Sequence, residues 1–115
     1  MRRGNKRKFG RKRNQRKALY KALATALIDH GKIKTTEAKA KSLSSFVDKL
    51  VTRSKKDDLA SKRYLAEIVN DKSARKLTTE IGPKFKDRKG GYTRVVKVGR
   101  RRSDGSPMAL VEFVQ

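Results

Sequence analysis

The chain has 115 residues, of which 33 are Lys or Arg and 11 are Asp or Glu, so its formal net charge is +22. This length suits one domain with a modest core, and so large a charge disfavours compaction unless a polyanion neutralises it. Zero Cys excludes disulfides and thiolate metal sites, and no apolar run approaches the roughly 18–20 residues of a membrane span.

Residues 1–13 are predicted to form a basic extended arm, followed by a single globular domain over residues 14–115. Residues 1–17 hold ten Lys and Arg and no acid, and such blocks stay disordered until a partner neutralises them. Fully extended, the arm would reach about 45 Å. Phe9 could stack on a base or anchor the arm on the domain. The alternative for the whole arm is a solvated tail.

The first helix is expected to start near Asn14 or Gln15 and to end at Gly31, a residue suited to the left-handed conformation that closes a helix. A short strand over residues 32–35 should follow. The predicted buried stripe of the helix has helical spacing and consists of Leu19, Ala22, Leu23, Ala26 and Leu27.

A second helix is predicted after Thr35 or Thr36, either of which can act as its N-cap, and it should end around residues 53–55. Its inward face is expected to hold Leu43, Phe46, Val47, Leu50 and Val51. Asp57 or Asp58 is the predicted cap of a third helix. This capping role accounts for the adjacent pair of carboxylates, so no catalytic role is needed to explain them.

Asp71 is the predicted cap of a fourth helix that turns Ala74, Leu77 and Ile81 inward. Gly82, followed by Pro83, is expected to end this helix as its left-handed C′ residue. A basic connection over residues 83–89 then leads into the C-terminal segment.

Two β-rich runs, residues 92–98 and 108–114, flank a Gly-containing turn and predict a C-terminal β-hairpin on which the helices pack. Arg100, Arg101 and Arg102 lie in its connection. Both strands are apolar on both faces, so the second face should be partly covered by residues 83–89, by a protein neighbour or by RNA. The predicted fold is α+β, a two-layer α/β single domain of order α-β-α-α-α-β-β.

Few residues of the chain could take part in catalysis. His30 is the only histidine and lies at a predicted helix end. The sequence has no P-loop, no dinucleotide fingerprint and no metal-ligand spacing. We therefore expect no enzyme, no cofactor, no metal site and no small-molecule substrate.

A nucleic-acid partner is favoured instead, since the arm lacks both the apolar stretch of a secretory signal and the apolar face of a membrane-surface helix. RNA is preferred over DNA because flexible arms and arginine-rich loops suit irregular folded RNA. The alternative is a free nucleoid-type or regulatory DNA-binding protein, supported by charge alone. The side chains expected to bind RNA are basic groups that cluster away from acids, together with Phe9: Arg2, Arg3, Lys6, Arg7, Lys8, Phe9, Arg11, Lys12, Arg13, Arg16, Lys17, Arg88, Lys89, Arg94, Lys97, Arg100, Arg101 and Arg102.

The chain also resembles a known family from end to end, through short segments at residues 8–11, 16–18, 23–28, 33–36, 38–41, 81–83, 87–88, 90–95, 107–109 and 111–112. The run 90–94 after Arg88, with Pro107-Met108-Ala109 downstream, is similar to the bacterial-type large-subunit ribosomal protein L-seventeen family. That resemblance implies the two-layer fold above, and assembly with large-subunit ribosomal RNA and neighbouring ribosomal proteins near the nascent-chain exit. It also implies a cytoplasmic ribosome, with an organellar ribosome as the alternative.

Overall fold

The predicted order of helices and strands is confirmed in the computed structural model, which describes residues 13–56 and 58–114. A π-helical turn, Leu77–Ile81, joins the fourth and fifth helices into one continuous helical stretch. The elements are α1 (Arg13–His30), β1 (Lys32–Thr36), α2 (Glu37–Ser54), α3 (Leu59–Ile68), α4 (Asp71–Lys76), α5 (Gly82–Lys84), β2 (Thr93–Arg100) and β3 (Pro107–Phe113).

The three strands form one antiparallel sheet in the order β1-β3-β2, so the C-terminal strand is central. Ala109 and Val111 of β3 are fully buried under the helices, whereas Val96 and Val98 of β2 are 42% and 45% exposed. The sheet therefore has a helix-covered inner face and, among the described residues, an open outer face.

The inner layer is dominated by α2, whose predicted apolar face is confirmed. Leu43, Val47, Leu50 and Val51 are buried, and Phe46 packs against them while partly exposed. Burying an aliphatic side chain of this size contributes about 1.5–3 kcal/mol. Packing of α2 on the sheet is thus a main source of the fold's stability.

The stripe predicted for α1 is partly wrong, because the helix is rotated toward its other apolar residues. Ala24, Leu27 and Ile28 are buried, while Ala22 is exposed. This helix carries alanine and aliphatic residues around much of its circumference, so periodicity allows two neighbouring stripes. Contact with the rest of the core selects between them.

Three helices have the expected kind of N-cap, with one shift in position. Thr36 caps α2, and Asp58 caps α3 by accepting a hydrogen bond from the Ser61 N–H at 2.7 Å. The prediction of Asp71 as the cap of α4 is wrong. Asn70 caps this helix through its side-chain oxygen, because an amide oxygen accepts as well as a carboxylate. Asp71 lies in the first turn, where the helix dipole favours its charge.

The prediction that Gly82 ends the fourth helix in a left-handed conformation is also wrong. Gly82 has φ −54° and ψ −53°, and the helical stretch continues past Pro83 to Lys84. A Cβ at this position would lie 3.0 Å from both the Leu77 carbonyl oxygen and Ser54 Oγ. Glycine therefore allows close packing against the end of α2.

Residues 83–89 do not cover the outer face of the sheet, which corrects one of the three coverings proposed above. Phe85 is only 3% exposed and packs against Tyr92 and Phe113, with ring centroids 5.3 Å and 6.2 Å away. Phe113 pairs with Thr93, which is buried on the inner face. Residues 83–89 therefore pack at the edge of the helix-covered inner face of the sheet.

Candidate nucleic-acid interface

The predicted RNA-binding residues fall into three groups: residues outside the described part of the chain, residues of α1, and residues on or beside β2. Those that lie outside the described residues are Arg2, Arg3, Lys6, Arg7, Lys8, Phe9, Arg11 and Lys12. In the first helix, Arg13 and Lys17 are exposed and Arg16 is half-buried. Arg13 is the first residue of α1 and is therefore helical, whereas the prediction from the sequence placed it in the arm. The remaining predicted residues all lie on β2 or on the loops at its two ends.

Two rows of side chains cross the outer face of the sheet. In one row Lys32, Glu112 and Arg94 lie on adjacent strands, and in the next Lys34 and Val96 flank Leu110. Lys32 and Lys34 are exposed, and they were missed in the sequence-based prediction. The alternation of these lysines with Ile33 along the strand could have identified them, because it places both lysines on the face opposite the core.

The expectation that the predicted cations cluster away from acids is wrong for three of them. Arg94 Nε lies 2.6 Å from Glu112 Oε2, and Lys97 Nζ lies 3.7 Å from Glu37 Oε1. Arg101 is 3.7 Å from Asp104. Exposed pairs of this kind contribute about 0–1 kcal/mol, so a phosphate can compete with each carboxylate for its cation.

The hairpin tip is a structured turn. The Arg101 N–H donates to the Ser106 carbonyl at 2.8 Å, and the Gly105 N–H donates to the Arg101 carbonyl at 2.8 Å. Gly105 has φ +72°, a left-handed conformation that glycine adopts without strain. Its carbonyl accepts a hydrogen bond of 2.9 Å from Arg100 Nη1. Arg102 is exposed on the same turn, so three guanidinium groups lie on or beside a defined backbone.

A β-bulge precedes this tip and changes its direction. The register of β2 against β3 shifts between Lys97 and Gly99, which leaves Val98 as the additional residue. Gly99 has φ +104°. Bulges of this type bend a strand and increase its local twist. The bulge therefore decides where the arginines of the tip point.

The loop that carries Arg88 and Lys89 is held on the C-terminal end of α2. Lys55 Nζ donates hydrogen bonds to the Arg88 carbonyl and, at 3.0 Å, to Tyr92 Oη. The bond from Lys55 to Tyr92 Oη, together with one from Thr52 Oγ1, lowers the pKa of the Tyr92 hydroxyl. The side chains of Arg88 and Lys89 remain exposed, so two cations project from an anchored backbone.

A second polar link joins α2 to the start of β2. Thr93 Oγ1 donates to Asp48 Oδ1 at 3.0 Å and lies 2.7 Å from Ser44 Oγ. Burial raises the pKa of Asp48, and the hydrogen bond from Thr93 partly opposes that rise. Together with the Lys55 bonds, this link fixes the orientation of the strand that bears Arg94 and Lys97.

Other kinds of site have little support in the described part of the chain. Residues 13–56 and 58–114 contain no group of three or more His, Asp or Glu placed to hold a metal ion. No helix in those segments is long and apolar enough to cross a membrane. A cavity of 380 Å³ lies beside the π-helical turn, and its lining residues include Ile28, Phe113, Lys76, Glu80 and Lys84.

Comparison with known proteins gives consistent matches over these elements. The family model described as "Ribosomal protein L17" matches residues 19–114. A protein of a Sulfurihydrogenibium species named "Large ribosomal subunit protein bL17" is 54% identical over 109 residues, covering 93% of this chain and 90% of that protein. Proteins with the same name from Staphylococcus carnosus and Moorella thermoacetica are 48% and 47% identical, and each match covers 94% of this chain. The matched region includes all three strands, the helices from α2 onward and α1 from residue 19 to its end.

Proposed function

Because this chain belongs to the ribosomal protein L17 family, we propose that it is a structural constituent of the large ribosomal subunit. It binds large-subunit ribosomal RNA and neighbouring large-subunit proteins, and it catalyses no reaction. The relatives named above come from bacteria, which favours a bacterial cytoplasmic ribosome over an organellar one.

The observation that carries this proposal is a net charge of +22 on a chain of 115 residues that is similar to ribosomal proteins along most of its length. Lys and Arg that neutralise phosphates release counterions, and each such contact steepens the salt dependence of binding. Even ten contacts would give a slope of log K against log salt near −7 to −9. A steep slope of this size is a direct signature of the proposed interface.

The proposed contacts combine the basic arm with the strand β2 and its two loops. The described part of this surface is built from an anchored loop at residues 88–89, an open sheet face and a turn bearing arginines. Its rigidity favours recognition of RNA shape, whereas the arm reaches grooves that the domain cannot enter.

Co-sedimentation tests the function as a whole. We expect the tagged full-length protein to sediment with the large subunit in a high-magnesium lysate and to remain there after a moderate salt wash. Recovery only from the ribosome-free pool would contradict the proposal. The charge-based alternative is tested by competition, because duplex DNA that displaces structured ribosomal RNA at equal phosphate would favour a DNA-binding protein.

Deletion of residues 1–12 tests the role of the arm separately. Helical content by circular dichroism should be preserved, because α1 begins at Arg13, whereas RNA affinity and the salt slope should both fall. The slope should fall by about 0.7–0.9 for each phosphate contact that is lost. An unchanged affinity would show that the arm is a solvated tail.

A further inference from the structure

The helix α3 exposes an aromatic side chain that the proposed interface does not use. Tyr64 is 41% exposed, and Leu59 at the start of the same helix is 60% exposed. The Arg53 guanidinium carbon lies 4.6 Å from the centroid of the Tyr64 ring. Arg53 Nε donates to Ser61 Oγ at 3.0 Å, which holds the guanidinium in this position. Arg53 and Tyr64 thus form a stacked cation–π pair at the surface.

The surroundings of this pair carry more basic than acidic side chains. The nearby basic residues in the sequence are Arg53, Lys55, Lys56, Lys62 and Arg63. The nearby acidic residues are Asp57, Asp58 and Glu67, the last of which follows one turn after Tyr64 on α3. The Asp58 carboxylate is engaged as the N-cap of α3, and the Ser61 N–H lowers its pKa. The complementary partner is therefore an anion that also offers a flat apolar surface.

This patch adjoins the surface already assigned to RNA. Lys55, two residues after Arg53, donates to the carbonyl of Arg88 and so connects the end of α2 with the loop at residues 88–89. An RNA strand bound at that loop can therefore reach the Arg53–Tyr64 pair by passing Lys55.

We propose that Arg53 and Tyr64 form a stacking platform for an unpaired base of RNA, with Lys56 and Arg63 contacting the adjacent phosphates. The platform rests on the proposed function, since ribosomal RNA supplies the strand. A base can stack on the exposed Tyr64 ring or on the outer face of the guanidinium, and both kinds of plane are used to hold splayed bases. Unpaired RNA combines a flat apolar base with a phosphate on each side, which matches this arrangement of groups.

The test measures binding of the full-length protein to a large-subunit ribosomal RNA transcript at several salt concentrations. Tyr64→Leu removes the aromatic ring but keeps an apolar side chain, and it should weaken binding about 5- to 150-fold. The salt slope should not change, because no charge is removed. Tyr64→Phe and the matched control Leu59→Ala should bind like wild type. Arg63→Gln should instead reduce the slope by about 0.7–0.9.

The outcomes separate the platform from the proposed function. If wild type binds the transcript and Tyr64→Leu binds equally well, the platform is overturned and the ribosomal function stands. Normal RNA binding by Tyr64→Leu together with poor incorporation into subunits would assign this patch to a protein contact, which also overturns it. Ultraviolet crosslinking of a base to Tyr64 in the wild-type complex would support the platform. A wild-type protein that fails to bind the transcript would contradict both proposals.

Discussion

The ion pair between Arg94 and Glu112 provides a sharp test of the sheet face as an RNA-binding surface. Arg94 Nε and Glu112 Oε2 are 2.6 Å apart, and the two side chains are 56% and 22% exposed. Glu112 competes with any phosphate that approaches Arg94. Glu112→Gln should therefore destabilise the free protein and strengthen RNA binding, two effects of opposite sign.

The magnitudes follow from the exposure of the pair. A surface ion pair of this kind contributes about 0.2–1 kcal/mol to folding, so Glu112→Gln should lower the free energy of unfolding by that amount. If the same energy opposes transfer of Arg94 to a phosphate, RNA affinity should rise about 1.4- to 5-fold. Arg94→Gln removes one phosphate contact and should reduce the salt slope by about 0.7–0.9.

Filter binding to a ribosomal RNA transcript across a salt series measures affinity and slope together, and urea denaturation gives the stability of each variant. Lys72→Gln is the matched control, because Lys72 is an exposed cation on α4 outside the predicted surface. It removes the same charge and should leave the slope unchanged.

Two results would contradict competition between Glu112 and an RNA phosphate for Arg94. If Arg94→Gln and Lys72→Gln have the same slope as wild type, Arg94 serves only the internal pair with Glu112. If Glu112→Gln weakens RNA binding without unfolding the protein, the carboxylate positions Arg94 for RNA rather than competing with it.

Two further predictions concern the packing around α2. Gly82→Ala should destabilise the protein by up to about 2 kcal/mol in urea denaturation. Overpacking costs about 1–3 kcal/mol, and the higher helix propensity of alanine offsets about 1 kcal/mol of that cost. In the control variant Gly90→Ala, open space surrounds the new Cβ, so stability should change by less than about 0.5 kcal/mol. A Gly82→Ala variant more stable than wild type would contradict the close contacts at Gly82. Lys55→Met should raise the pKa of Tyr92, measured by tyrosinate absorbance, since the Lys55 hydrogen bond is the main cause of its lowering. Because the folded-state pKa of Tyr92 lies below that of an unfolded tyrosine, wild type gains stability as pH rises between these two values. A titration unchanged by Lys55→Met would contradict the assigned cause.

Much of the fold follows from local sequence signals. The N-caps of α2 and α3, Gly31 with φ +82° at the end of α1, and the hairpin are each encoded within a few residues, so they can be inferred without tertiary information. The charge segregation that favours a polyanionic partner is likewise a property of the sequence. The positions of the arm residues relative to RNA stay a prediction.

The features that the sequence did not determine depend on contacts between separate helices and strands. The rotation of α1 is decided by its contact with the rest of the core. The helical conformation of Gly82 is decided by its contact with the end of α2. The carboxylates facing Arg94 and Lys97 come from 18 residues downstream and from the first turn of α2. The Arg53–Tyr64 pair exists only because two helices meet. Sequence patterns thus determined which segments are helices or strands and the sign of the charge. Tertiary packing decided which side chains meet, because side-chain proximity depends on the relative orientation of separate elements, which local sequence patterns do not encode.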